Sequence, residues 1–281
     1  MLKRIARSTV RHLRAWLAEP EEEDEHSLYP TLNALHERIS AESSACSRPY
    51  FTWCLLHSAH LARMVGADRI SAVEFGVAGG SGLVALEATA DRVSETLGVK
   101  IEVHGFDSGK GLPPVRDPRD LPNLWHEGAY PMDEQLLRSR LRRATLHIGW
   151  LEETVPSFID AAPAPIGFMS VDVDLYSSAT QALQVLRAQA DLLLPRVHCY
   201  FDDILGHTYA DHNGERLAIR EFNDIDPQRK LSPIFGLRHF VPRSQFWSMW
   251  PEQVFLAHIL DHPQYGANDG LMGVTRLDLV E

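Results

Sequence analysis

Four carboxylates in two short runs are the residues of this chain best placed to do chemistry: Asp172 and Asp174 in Ser170-Val171-Asp172-Val173-Asp174-Leu175-Tyr176, and Asp202 and Asp203 in Tyr200-Phe201-Asp202-Asp203-Ile204. Each run closes an apolar segment that reads as a buried strand, Pro165 to Val173 and Arg196 to Phe201, with a helix-patterned stretch from Ser177 to Leu194 between them. A right-handed crossover returns the chain to the side it started from, so both acidic ends belong on one edge of a parallel sheet. Carboxylates gathered there repel one another unless a cation joins them. All-oxygen ligands suit a hard divalent ion, Mg²⁺ first and Mn²⁺ or Ca²⁺ next. Asp172 or Asp203 alone is equally well explained as a cap of the helix that follows, but capping does not account for all four. Ligands of open α/β sheets bind beyond the carboxyl ends of the strands, so this edge is where the site is expected.

A second constellation points to the same edge. Ile70 to Phe75 is a short apolar strand running into Gly76-Val77-Ala78-Gly79-Gly80-Ser81-Gly82, and Leu83 to Leu97 reads as a helix. Small residues let backbone and ligand approach closely, and the helix start offers unpaired N–H groups to an anion. One strand later, Ile101 to Phe106 ends in Asp107, an acidic residue placed to accept hydrogen bonds from ribose hydroxyls. Gly80-Ser81-Gly82-Leu83-Val84-Ala85 also satisfies a G-x-G-x-x-A pattern, which keeps a dinucleotide-binding oxidoreductase open. That match begins beyond Gly76, whereas a dinucleotide fingerprint opens directly at the strand end.

Glu74-Phe75-Gly76-Val77-Ala78-Gly79-Gly80 resembles the first motif of class I S-adenosylmethionine-dependent methyltransferases. With Gly105-Phe106-Asp107-Ser108 and Gly111-Leu112-Pro113, then Gly149-Trp150 and Glu153-Thr154-Val155-Pro156, then Asp172 to Tyr176 and Asp202-Asp203, the chain resembles the macrocin O-methyltransferase family over roughly residues 70–205. The resemblance implies an α/β, Rossmann-like class I methyltransferase fold: a mostly parallel twisted sheet with helices on both faces, plus an N-terminal helical lid. It implies a divalent-metal-dependent O-methyltransferase that transfers methyl from S-adenosylmethionine to a hydroxyl of a sugar, a sugar-bearing natural product or a glycan. It further implies Asp172, Asp202 and Asp203 as ligands of Mg²⁺ or Mn²⁺, and Asp174 as general base. Cofactor contacts would come from Glu74, Gly76, Val77, Gly80, Ser81, Asp107, Ser108, Gly149, Trp150 and Asp172. Two positions depart from the family: Ala78 replaces the middle glycine of the first motif, and Ile204 stands where an aromatic residue is common.

Bulk properties bound this reading. At 281 residues and 44% hydrophobic composition the chain can bury one large core with a small subdomain. Residues 1–66 are expected to hold N-terminal helices, an acidic linker and a partial lid, and residues 67–281 the catalytic domain, with acceptor-pocket loops in the last third. A formal net charge of −11 argues against nucleic acid as a partner and leaves a small-molecule or glycan acceptor. The densest basic run, Gln135 to Arg143, spreads its arginines around a helix and reads as solvated surface. Three cysteines are too few and too odd in number for a disulfide framework, which points to the cytoplasm. No apolar run reaches the roughly 20 residues that span a bilayer, so stable membrane insertion is not expected. Residues 1–18 read as a basic amphipathic helix, followed by the acidic run Glu19 to Glu25; helices over Thr31–Ile39 and Tyr50–Val65 precede the first strand, and through these N-terminal helices copies of the chain would associate. His207 and His212, in the loop after Asp203, are rival bases ranked below Asp174. A nicotinamide-dependent oxidoreductase and a non-catalytic Rossmann-fold binding protein are the alternatives; the first has no task for four carboxylates, and the second gives no reason for them to be intact.

Overall fold

The computed structural model describes residues 29–42 and 46–266; the basic helix and acidic run expected over residues 1–25 lie outside the described residues. Two helices come first, α1 (Tyr29–Glu42) and α2 (Pro49–Met64). Strand and helix then alternate: β1 (Arg69–Phe75), α3 (Ser81–Leu97), β2 (Lys100–Asp107), α4 (Glu134–Arg140), β3 (Thr145–Ile148), α5 (Leu151–Asp160), β4 (Ile166–Val171), α6 (Tyr176–Ala182) and β5 (Leu193–Phe201). The chain closes with α7 (Gly214–Ile225), β6 (Arg229–Pro233) and β7 (Val254–Ile259).

Among the described residues the strands form one seven-stranded sheet in the order β3-β2-β1-β4-β5-β7-β6. The first five run parallel, and β7 inserts antiparallel between β5 and β6. A dinucleotide-binding sheet ends in a parallel sixth strand beside the fifth. This is the class I methyltransferase fold.

The central strands are apolar because helices cover both of their faces: every residue of β4 is buried, and all of β1 beyond Arg69. On one face α2 and α3 pack Phe51, Leu55, Leu83 and Leu86 against Ile70 and Phe168. On the other, Val155, Phe158, Leu186 and Phe222 meet Val73, Met169 and Phe201. The segment read from sequence as one helix, Ser177 to Leu194, is instead α6 followed by 3₁₀ turns over Leu183–Arg187 and Ala190–Leu192. Leu183, Val185, Leu186 and Ala188 are all buried, and no single face of an α-helix presents that spacing. The strand β5 accordingly starts at Leu193, which pairs with Ile166. Cys46, Cys54 and Cys199 are buried and unbridged. No helix among the described residues is long and apolar enough to cross a membrane.

Candidate active site

Register brings the expected residues to one row. Phe75 pairs with Phe106 on one side and Val171 on the other, and Val171 pairs with Phe201. The backbone continues the ladder one step beyond the strands: Gly76 N–H donates to Phe106 O, Asp172 N–H to Phe75 O and Asp202 N–H to Val171 O, each at 3.0 Å, and Gly149 N–H to Asp107 O at 2.9 Å. Gly149, Asp107, Gly76, Asp172 and Asp202 therefore stand in line along the carboxyl edge. They border one cavity of about 760 Å³, within the range of small-molecule sites.

The glycine turn is shaped by a close backbone approach. Gly76 has φ +84°, and a Cβ there would lie 1.7 Å from Asp172 O, so no side chain fits. Ala78 sits at φ +45° although it carries a Cβ, which is why a glycine suits that place in the family's motif. Asp107 secures the turn: its Oδ2 accepts from Val77 N–H at 3.0 Å and Ala78 N–H at 2.8 Å, and its Oδ1 from Gly109 N–H at 2.7 Å. Glu74, Val77, Ser81, Ser108 and Trp150 also line the cavity, whereas Gly80 does not. Gly80 has φ +82° and packs on Leu137, where a Cβ would come within 2.2 Å, so its role is to let α3 start and α4 dock.

All four aspartates border the same cavity. Asp174 is held at φ +61° and donates its N–H to Asp203 Oδ2 at 3.2 Å. Tyr200 Oη donates to Asp202 Oδ1 and Tyr209 Oη to Asp203 Oδ1, both at 2.8 Å. Behind them the fully buried Glu215 accepts from Val173 N–H at 3.4 Å and Asp203 N–H at 3.1 Å, bracing the tips of β4 and β5 together. Burial, then the charges of Asp202 and Asp203, push Asp172 up to about 7. Burial, then Asp203 and Asp172, push Asp174 up to about 8. The same causes raise Glu215. Arg48 is the cation whose charge opposes this on Asp172.

Such a set of mutually repelling, all-oxygen donors fits a hard divalent ion. As placed, no three His, Cys, Asp or Glu side chains among the described residues converge as a metal-ligand group. Asp202 and Asp203 each turn one oxygen to a tyrosine hydroxyl.

Several residues of the site were not visible in the sequence. Among the described residues of the N-terminal segment, expected to form a partial lid, Arg48 alone lines the cavity; α2 itself is packed on the sheet. Acceptor-pocket loops are expected from the last third; among the described residues the cavity lining runs to Asp203. The connection from β6 to β7 folds against α1 instead, where Asn33 Nδ2 donates to Phe240 O and His36 stacks on Trp250. A large part of the cavity lining comes from the loop after β2. Its base is closed by main chain, Leu112 N–H to Ala129 O and Gly128 N–H to Leu112 O, at 2.8 and 2.9 Å. Its far end is tied by the fully buried Asp120, which accepts from Arg116 N–H, Ser177 N–H and Ser177 Oγ and so caps α6 from outside the helix. Trp125 and Tyr130, edge to face at 6.2 Å, look from this loop into the cavity. Burial, then the charges of Asp174, Asp203 and Asp172, raise the Tyr130 hydroxyl. His207 and His212 are exposed and outside the lining, and Ile204 belongs to the buried core.

No family model and no curated protein matches the chain. Among solved structures it is similar to the calicheamicin methyltransferase CalS11, with 23% identity, 80% of this chain and 93% of that one covered, and a TM-score of 0.47. It is similar also to the O-methyltransferase NovP (18% identity, 64% and 75% covered, TM-score 0.46). A third is the O-methyltransferase TomG from Streptomyces achromogenes, involved in tomaymycin synthesis and solved with S-adenosylmethionine (17% identity, 89% and 96% covered, TM-score 0.42). Likenesses at this level carry no argument about the site, which stands on its own geometry.

Proposed function

We propose that the protein is a divalent-metal-dependent O-methyltransferase that transfers methyl from S-adenosylmethionine to a hydroxyl of a sugar, a sugar-bearing natural product or a glycan. One observation carries the reading: at the strand ends a glycine turn and Asp107 stand beside four carboxylates, Asp174 and Asp203 buried and Asp172 and Asp202 half-buried, in a single cavity. The three buried, unbridged cysteines favour a reducing compartment such as the cytoplasm.

S-adenosylmethionine supplies the methyl as a strongly electrophilic sulfonium. A divalent cation at Asp172, Asp202 and Asp203 supplies acidification of the acceptor hydroxyl. Asp174 then holds the acceptor's proton at its carboxylate, on the same edge as Asp172. Asp107 borders the cavity at the tip of β2, where ribose hydroxyls are received. Trp125 and Tyr130 offer an aromatic wall to the acceptor ring and keep water from the sulfonium.

The test begins with Mn²⁺ titration of the wild type and of Asp172→Asn, Asp202→Asn, Asp203→Asn and Asp174→Asn, alongside thermal shifts with S-adenosylhomocysteine and NAD⁺. Loss of Mn²⁺ affinity in the first three variants with retention in Asp174→Asn is expected, together with stabilisation by S-adenosylhomocysteine and none by NAD⁺. With an acceptor in hand, EDTA abolishes turnover, Mg²⁺ restores it, and Asp174→Asn lowers it roughly a hundredfold. Turnover that survives exhaustive chelation refutes the metal mechanism.

A further inference from the structure

The connection from β6 to β7 carries apolar side chains that the fold leaves uncovered. Of the eleven large apolar side chains exposed among the described residues, four fall between Phe235 and Met249, and they include the three most exposed: Phe235 at 82%, Trp247 at 78% and Met249 at 66%. The fourth is Phe240. Single exposed apolar residues are ordinary, whereas a concentration of large ones marks an interaction surface. The stretch that carries them is anchored. Leu237, Val241 and Trp250 are buried, Trp250 Nε1 donates to Gln245 Oε1 at 3.0 Å, and Ser244 Oγ donates to Glu37 Oε1 of α1 at 3.1 Å.

Charge and position decide what covers this surface. Between Asp226 and Glu252 the chain holds Arg229, Lys230, Arg238 and Arg243 and no acid. Arg229 pairs with Asp261 and Arg238 with Glu252, so the stretch is mildly basic. A stronger charge precedes α1: Lys3, Arg4, Arg7, Arg11 and Arg14 come before the first acid, Glu19. At helical spacing these five cations fall on one side, and Leu2, Ile5, Leu13, Trp16 and Leu17 fall on the other. Only ten residues, Glu19 to Leu28, separate that segment from α1, a reach of at most about 35 Å. The connection folds against the same helix, through Asn33 and Glu37, so the basic segment is tethered beside the exposed rings. Residues 1–18 laid over the connection would set their five cations against a stretch with four more and no acid. A second copy joined through the same face would also oppose like charges. A surface that is anionic outside and apolar beneath answers both elements: it draws in lysines and arginines and takes aromatic rings at the level of its headgroups.

We propose that the connection from β6 to β7 and the basic residues 1–18 together dock the protein on an anionic lipid bilayer, at its surface and without spanning it. One weak signal does not hold a protein on a membrane; two at one face do. The acidic run Glu19 to Glu25 has the wrong sign for the bilayer and reads as the spacer between them. β5 and β6 both run antiparallel to β7, so the connection leaves from the carboxyl edge of the sheet, and at its return Gln253 Nε2 donates to Asp202 O at 2.8 Å. A bilayer held there lies along the edge that bears the cavity. The docking surface itself is independent of the reaction proposed for that cavity.

The experiment is co-sedimentation of the full chain with phosphatidylcholine vesicles, with and without about one third phosphatidylglycerol. The wild type should bind the anionic vesicles at least about tenfold more tightly than the neutral ones, and less tightly as salt rises from about 0.1 to 0.5 M. The double variant Phe235→Ser, Trp247→Ser changes only exposed side chains, so it should keep the wild-type melting temperature while losing about tenfold or more in affinity for the anionic vesicles. The triple variant Lys3→Gln, Arg4→Gln, Arg7→Gln should lose about tenfold or more as well. A wild type that ignores the anionic vesicles or binds both kinds equally overturns the proposal, and so does either variant binding as the wild type does. Light scattering without vesicles should give the wild type and the double variant the same mass. A wild-type dimer that the double variant dissolves would assign the surface to a second copy of the chain and overturn the proposal.

Discussion

Gly76→Ala is the substitution for which the structure sets the sharpest expectation. Two costs are separable. At φ +84° a Cβ costs about 1–2 kcal/mol in any surroundings. In these surroundings the new atom would lie 1.7 Å from Asp172 O, where ordinary contact begins at 3.4 Å, so the end of β1 and the end of β4 must part by more than 1 Å. Parting them gives up the Asp172 N–H to Phe75 O bond, worth about 1 kcal/mol. The sum is about 2–3 kcal/mol lost from folding, and Asp172 is displaced with it. Gly79→Ala is the control, because a Cβ there meets nothing within 4 Å; its expected effect is below about 0.5 kcal/mol. Urea unfolding followed by circular dichroism measures both through the shift in midpoint, and Mn²⁺ titration reports the displacement of Asp172. If Gly76→Ala unfolds with Gly79→Ala and binds Mn²⁺ as the wild type does, the close approach of the two strand ends is wrong and the argument for the row of residues falls with it.

Asp107→Ala removes the acceptor of three backbone N–H groups and should cost about 2–3 kcal/mol of stability and at least tenfold in affinity for S-adenosylhomocysteine; unchanged affinity by calorimetry removes Asp107 from the cofactor site. Asp120→Ala strands Arg116 N–H and Ser177 N–H and should lower stability by about 2 kcal/mol while raising hydrogen exchange across residues 112–129; exchange that stays at the wild-type rate denies Asp120 its part in holding the loop. His198 supplies a pH test. Burial, then the charge of Arg196, pushes it down to about 3, whereas in the unfolded chain it titrates near 6.5. The unfolded state therefore binds the extra proton, so stability is intact above pH 6.5 and falls by about 1.4 kcal/mol per pH unit from there toward pH 3. The stability difference between wild type and His198→Gln should shrink across that window; a difference that is flat between pH 7 and 5 refutes the buried neutral imidazole.

The sheet edge was legible because strand ends carry their own punctuation. Asp107, Asp172 and Asp202 each follow an apolar run, and Gly76 opens a turn, so local pattern and parallel topology were enough to place them together. Arg48 was not legible: it precedes a helix as an ordinary basic residue, and only tertiary packing carries it to Ser81. Asp120 in Asp117-Pro118-Arg119-Asp120 reads as a turn acid, with nothing to announce that its partner is Ser177. Glu215 looks like a solvated first-turn residue of α7, and its burial follows from what β4 and β5 leave unsatisfied. The split of the expected helix after α6 escaped because apolar content alone does not separate α from 3₁₀ winding.

The loop behind Trp125 and Tyr130 has a consequence for how such a protein can diversify. Its two stems are joined through the main chains of Leu112, Gly128 and Ala129, and a main-chain bond persists under almost any side-chain replacement. Beyond that it is secured by Asp120, by the buried Leu121, and by Arg116 and Arg119, which reach Glu152 and Tyr176. Residues 113–127, with Arg116, Arg119, Asp120 and Leu121 excepted, are thus a cassette whose contents can be rewritten by mutation or grafting at little thermodynamic penalty, since closing a loop depends only weakly on what it contains or how long it is. On the proposed function, lineages descended from this chain could exchange one acceptor for another by drift in that short stretch, with the glycine turn and the acidic strand tips left as they were.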